Sequence, residues 1–304
     1  MKKQKSLVAR RENYGYLFIA PFLVAFVFMQ LLPMIVTFFY SLHNWDGIRP
    51  MIFIGVDNYI RLATDQLFWK TIYNTMAMWL MNVFFRMALA LLCAVLLTRK
   101  RTKGTSVFRA IFYFPNLVTA TTVATLFTFL VGVDNSTINM LLMNLGVLSQ
   151  PIPFLREPIL AQGVVATITL WMWFGYAMVF FISSILSISE DLYEAGTVDG
   201  TNAWQKFWHI TFPSLRPSFA FVFISALIGG MQSFDIPMLV SQSDGRPARA
   251  LFTMTMYMYE QAFKMRQTGY GSAVAYGLFL IIMLTSMMTY RIINNKSEEN
   301  GGAR

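Results

Sequence analysis

Apolar residues in this chain come in long blocks, without the three-to-four-residue spacing of a half-buried helix or the alternation of a half-buried strand. Windows of about nineteen residues pick out six blocks, near residues 15–40, 72–97, 109–132, 159–187, 218–240 and 270–293. At about 1.5 Å of rise per residue, each block can cross roughly 30 Å of hydrocarbon as a helix. A spanning segment finds no water in lipid and must satisfy its own backbone, which a helix does. The pattern predicts an all-α integral membrane protein with six transmembrane helices. The first block follows the basic stretch MKKQKSLVARR, as a secretory signal would, but it is too long and lacks a small-residue cleavage site, so it reads as a retained span. Pro21 and Pro33 inside it are tolerable, because neighbouring helices and waters can satisfy the freed carbonyls.

One polar insert interrupts this pattern, residues 189–217, SEDLYEAGTVDGTNAWQKFWHITFPSLRP. Leu192, Ala195 and Val198 recur every three residues and mark an apolar stripe on a short helix. Asp199 and Gly200 supply the turn at its end. Thr201 or Asn202 can cap a second helix whose stripe is Ala203, Phe207 and Ile210. Pro213 ends it, and Pro217 is placed to start the next span. A helical hairpin with an apolar stripe on each arm needs a surface to cover. By periodicity alone, that surface is either the membrane and the protein's own bundle or a docked partner.

Composition and charge add an orientation. Hydrophobic residues make up 56% of the 304 and charged ones 13%, against about a quarter charged in soluble domains. Lys2, Lys3, Lys5, Arg10, Arg11, Arg99, Lys100, Arg101, Lys103, Arg109, Lys206, Arg216, Arg291, Lys296 and Arg304 fall on one side of the six spans. Arg49, Arg61, Lys70, Arg156, Arg246, Arg249, Lys264 and Arg266 fall on the other, and Arg86 lies within a span. The richer side is cytoplasmic by the positive-inside rule, which puts both termini and the hairpin in the cytoplasm. The net charge of +9 is thus a topology signal, with no soluble basic surface that would suit nucleic acid. The resulting division is a cytoplasmic tail at 1–14, a six-span domain at 15–293 carrying the hairpin, and a disordered cytoplasmic tail at 294–304.

The hairpin's residue pattern resembles a known signature. Glu194-Ala195-Gly196, Asp199-Gly200, Ala203, Phe207, Ile210, Pro213, Leu215 and Pro217 match the EAA motif of permease subunits in binding-protein-dependent ABC importers. Gly196 and Thr201 depart from it, each standing where the family commonly has Ala. Asn74-Thr75, FRAIFYFPN at Phe108–Asn116, INMLL at Ile138–Leu142 and GYGSA at Gly269–Ala273 look like the sugar-permease branch of that family. The opening, with Pro21, Pro33 and FFYSLHNW, is similar to its maltose-F-like half. SDGRP at Ser243–Pro247 departs again, where a double-glycine turn before Pro is usual.

The resemblance, which covers nearly the whole chain, implies a six-helix type I importer permease (MetI-like) fold in a bacterial or archaeal cell membrane. It implies a second, related permease as heterodimer partner, two cytoplasmic ATP-binding subunits that hold ATP and Mg, and an extracytoplasmic solute-binding protein. Sugar is the implied cargo, and the hairpin is the implied coupling element to the ATPase. Glu194 and Asp199 would make its polar contacts, Ala195, Gly196 and Gly200 would allow close approach, and Phe207, Ile210 and Pro213 would complete the motif.

The rest of the chain fits a transporter that does no chemistry of its own. No G-x-x-x-x-G-K-[ST] loop occurs. His43, His209 and the single Cys93 are dispersed, so neither a metal site, a nucleophile pair nor an intrachain disulfide is expected. Arg86 is the clearest intramembrane polar residue, costing roughly 2.5 to 3.5 kcal/mol to place there, so it should face the bundle or a wet cavity. It is a candidate either for bonding helix-end carbonyls or the partner permease, or for lining the substrate path. Asp235 is the only carboxylate within a span. Counting from the span ends puts it at a depth of roughly 8 Å, against roughly 21 Å for Arg86, too far apart for an easy pair. WMWFGYAM at Trp171–Met178 offers Trp171, Trp173, Phe174 and Tyr176 either as sugar-stacking faces or as helix packing. Gln232, Ser233 and Asn82 are further candidates, with interhelical bonding as their ordinary use. The outer segment ARALFTMTMYMYEQAFKMR is amphipathic, suited to the binding protein or to packing across the outer mouth. The competing class is an ion-driven secondary transporter, which usually relies on buried acidic relays or broken helices. No clustered catalytic set favours a membrane enzyme.

Overall fold

The computed structural model describes residues 18–99, 102–132 and 136–301. In chain order its elements are α1 (Phe18–Ser41), the strands β1 (His43–Asn44) and β2 (Ile52–Phe53), α2 (Asp57–Thr64), α3 (Gln66–Leu97), α4 (Thr105–Leu117), α5 (Ala120–Val131) and α6 (Thr137–Asn144). They continue with α7 (Pro158–Leu186), α8 (Glu190–Val198), α9 (Ala203–Lys206), α10 (Arg216–Met231), α11 (Asp235–Val240), α12 (Met254–Tyr259) and α13 (Thr268–Gly301). Five described helices are long and apolar enough to cross a membrane, or six if the bent pair α4 and α5 counts as one span. The last helix runs past the boundary at 293 expected from hydropathy. The N-terminal tail and residues 302–304 lie outside the described residues.

Two of the expected spans are not continuous helices. The third block is split between α4 and α5, which meet at 92°. Val118 and Thr119 are extended (ψ 140 and 145), and Thr119 Oγ1 accepts the Thr122 amide at 3.3 Å, capping a new helix inside the apolar run. Pro115, one turn from the break, contributes no N–H to the α4 ladder. The fifth block is broken between α10 and α11, where Gln232 and Phe234 leave helical geometry (ψ 10 at the first, φ −134 at the second).

The chain divides into two units, residues 1–65 with 258–277 and residues 66–257 with 278–304. In the first, β1 pairs antiparallel with β2. The buried Asn58 amide donates to the carbonyls of Ser41 (2.9 Å) and His43 (3.0 Å), and the Ser41 and Tyr59 hydroxyls bond at 2.6 Å. The GYGSA stretch docks on the same strand: Gly269 N–H donates to Trp45 O at 3.0 Å, and a Cβ on Gly269 would stand 2.0 Å from His43 O. Only glycine permits that approach. Tyr270 donates to Asp65 at 2.7 Å while Arg61 lies 3.8 Å over its ring.

The larger unit is built on α3 and α7. Val83, Ala90 and Ala94 of α3 and Met178 and Phe181 of α7 are fully enclosed in one cluster. Small residues at such a crossing let membrane helices approach closely. Gly175 does the same where α4 crosses α7, since a Cβ there would stand 2.0 Å from Phe112 O. A second cluster joins Val123 and Ala124 of α5 to Val165 and Ile168 of α7. The Asn74-Thr75 pair acts as a clasp for the loop before α12. Asn74 Nδ2 donates to the carbonyls of Arg249 (2.8 Å) and Phe252 (3.1 Å), and Thr75 Oγ1 accepts the Met254 amide at 3.2 Å. Gln162 adds a bond to Ala250 O at 2.9 Å.

Candidate functional site

Within the larger unit, α3, α7, α10 and the break before α11 enclose a cavity of about 370 Å³. Residues at i, i+3 and i+7 share one helix face, and α3 presents Trp79, Asn82 and Arg86 in this way. The α7 wall is Thr169, Met172, Trp173, Tyr176 and Ala177, again one face. Trp173 and Tyr176 meet edge to face at 6.0 Å. From α10 come Ser225, Ala226 and two glycines, followed by Gln232, Ser233, Phe234 and Asp235. Trp79 lies against the Gly230 backbone, where a Cβ would stand 2.2 Å from its ring, and donates to Ala226 O at 3.0 Å.

Six of the eight path candidates therefore converge: Arg86, Trp173, Tyr176, Gln232, Ser233 and Asp235. Trp171 and Phe174 do not line the cavity. Trp171 packs on Phe127 and Phe174 on Phe112, both at 5.7 Å. Helical geometry turns about 100° per residue, so four aromatics within six positions of α7 cannot all face one way. Trp79, Thr169 and Ser225 were missed, although the spacing of Trp79 to Asn82 and Arg86 was a usable signal.

Arg86 is 7% exposed, and among the described residues it makes no hydrogen bond and no ion pair; its Nε is enclosed without a partner. Asn82 Oδ1, one turn away, is likewise unpartnered, and the amide's one bond, to Met78 O, is long at 3.4 Å. Asp235, exposed at the start of α11, makes no ion pair with Arg86.

The hairpin folds as two short helices, as the sequence suggests. Ser189 caps α8, and Gly200 takes the left-handed turn at φ 74. Asn202 caps α9 in a reciprocal box with Gln205, at 2.9 and 2.8 Å. Thr201 instead donates its hydroxyl to Gly196 O. After α9 the helix widens over Phe207–Thr211 and closes at Phe212–Ser214. The first arm's apolar stripe, Leu192, Ala195 and Val198, stands uncovered by the bundle, with Val198 88% exposed, and so does Trp204 at 69%. The arms meet through Gly196, which is buried, and through the Tyr193–Thr211 hydroxyl pair at 2.9 Å. The approach is too close at Gly196 for larger side chains to serve as the contact face: a Cβ there would stand 3.0 Å from Thr201 Oγ1 and 3.1 Å from Ile210 Cδ1. Glu194, Asp199 and Gly200 are exposed, while Phe207, Ile210 and Pro213 are partly covered.

Known proteins place these features in a family. Residues 87–297 match the family described as "Binding-protein-dependent transport system inner membrane component". The chain is 34% identical to the multiple sugar-binding transport system permease protein MsmF of Streptococcus mutans, over 92% of this chain and 95% of that one. It is 30% identical to the probable starch degradation products transport system permease protein AmyD of Thermoanaerobacterium thermosulfurigenes, over 97% and 99%. It is 28% identical to the lactose transport system permease protein LacF of Rhizobium radiobacter, over 94% and 96%. A chain of a bacterial ABC transporter involved in the import of the acidic polysaccharide alginate superimposes with a TM-score of 0.80 at 20% identity, covering 97% of this chain and 99% of that one. That likeness shows the fold. With most of its length matched by the family pattern and relatives aligned nearly end to end, the chain belongs to the inner-membrane permease components of binding-protein-dependent transport systems.

Proposed function

We propose that this chain forms half of the translocation path of an ATP-driven sugar importer, paired with a second, related permease. Two cytoplasmic subunits would bind ATP and Mg, and an extracytoplasmic binding protein would deliver the cargo. Sugar as cargo is supported by relatives named for multiple sugars, starch products and lactose. A neighbour solved with an alginate pentasaccharide-bound periplasmic protein supports the delivery step. The cavity walled by Trp173, Tyr176 and Trp79, with hydrogen-bonding groups at Ser225, Gln232 and Ser233, suits sugar rings, whose C–H faces stack while their hydroxyls bond.

The observation that carries the coupling role is the hairpin's exposed apolar face, Leu192, Val198, Trp204 and Trp208. It is flanked by the exposed carboxylates Glu194 and Asp199, on the side that the positive-inside rule makes cytoplasmic. Such a patch marks an interaction surface, and an importer without a P-loop of its own needs a mechanical link between distant hydrolysis and transport. The test is co-purification. Solubilised protein should bring down an ATPase, and Glu194→Lys should abolish that association or uncouple hydrolysis from uptake. Uptake that persists with no ATPase bound would instead favour an ion-driven carrier.

A further inference from the structure

We propose that the cavity is built for an acidic glycoside, with the cargo's carboxylate seated on Arg86 and Asn82; this rests on the reading of the cavity as the translocation path. A guanidinium removed from water needs an opposite charge or acceptors, because a buried unpaired cation is far more costly than a paired one. Arg86 has neither among the described residues, although it is only 7% exposed. Its side chain borders an open volume of about 370 Å³, within the roughly 300 to 1,000 Å³ of small-molecule sites.

Arg86 therefore borders, without a partner among the described residues, a space that a ligand can enter. A planar carboxylate matches a guanidinium fork with two parallel charge-assisted bonds. Asn82, whose carbonyl oxygen is also unpartnered, stands one turn away and can accept from a hydroxyl next to that carboxylate. Trp173 and Tyr176 supply the stacking faces that make the ligand a sugar and not a simple acid. Asp235 borders the same cavity without pairing with Arg86. The site thus has one cationic and one anionic group, fitted to a cargo with one carboxylate whose remaining hydroxyls donate to Asp235. A carboxylate from the second permease is the competing source of the counter-charge.

The experiment uses the intact complex in detergent and follows quenching of its tryptophan fluorescence by a disaccharide of one galacturonate and one neutral sugar, and by its neutral methyl ester. The acid should bind about tenfold more tightly than the ester, as a charge-assisted pair implies. Arg86→Gln should bring the two to parity, and Arg86→Lys should retain most of the preference. Equal binding of both probes, weakened for both by Trp173→Ala, would overturn the acidic class and leave the cavity as a sugar path. Quenching by neither probe would overturn both readings. If Arg86→Gln dissociates the second permease and leaves probe binding unchanged, the partner supplies the counter-charge and the proposal fails.

Discussion

Gly196 and Thr201 are the two positions where the hairpin departs from its family's signature, and they touch. A Cβ on Gly196 would stand 3.0 Å from the Thr201 hydroxyl, which donates to the Gly196 carbonyl. The larger residue at 201 is accommodated by the smaller one at 196, so the departures compensate each other. Gly196→Ala should therefore lower the thermal stability of the purified complex, by about 1 to 3 kcal/mol of overpacking. Adding Thr201→Ala should recover part of that loss. A double-mutant cycle by thermal unfolding would show a coupling above about 0.5 kcal/mol, and strict additivity would refute the compensation. The sequence displayed both departures, but nothing in it said that they were neighbours. Arg86 was different. Its placement in an apolar block already required an enclosed, polar or wet setting, and the cavity meets that requirement.

At the scale of elements, hydropathy located the blocks and missed their breaks. Averaging over about nineteen residues cannot see Thr119 capping a helix in mid-block, nor the loss of helix at Gln232–Phe234, because both breaks are made by apolar or small polar residues. The local cue was there for the first, a Thr followed three residues later by another Thr. A broken span beside Asp235 would by itself have favoured ion coupling; family membership decides otherwise. The surface that the stripe at Leu192 and Val198 covers stayed open in the sequence for a related reason. Periodicity reports which residues share a face, and only the close approach at Gly196 decides which face is inside.

The clasp between α3 and the loop before α12 yields a second prediction. Asn74→Leu removes two bonds; the Arg249 carbonyl keeps the Phe252 amide, while the buried Phe252 carbonyl loses the Asn74 donor, at a cost of about 1 to 3 kcal/mol if it is left unsatisfied. Limited proteolysis should then cut residues 243–253 faster than in the unmodified protein while the hairpin's sensitivity is unchanged. Equal cutting rates would show that the clasp does not hold the loop.

Across the whole molecule, composition alone gave the membrane class, the block count gave the helices, and one motif gave the family. The cavity needed three dimensions, because its walls come from α3, α7 and α10, far apart in sequence. The most exposed of the long helices is α1, whose most apolar eighteen-residue window has no buried residue. Phe18, Phe22, Phe28 and Met29 all stand bare along it. Such a surface must be shared with lipid or with another subunit, and a helix with so little internal packing has little to hold it when its companions are missing. A cell that synthesises this polypeptide without its companions should hence treat it as damaged goods. Pulse-chase labelling should show its half-life falling several-fold when the second permease is deleted, and a lifetime indifferent to that deletion would mean that lipid alone satisfies the exposed helix.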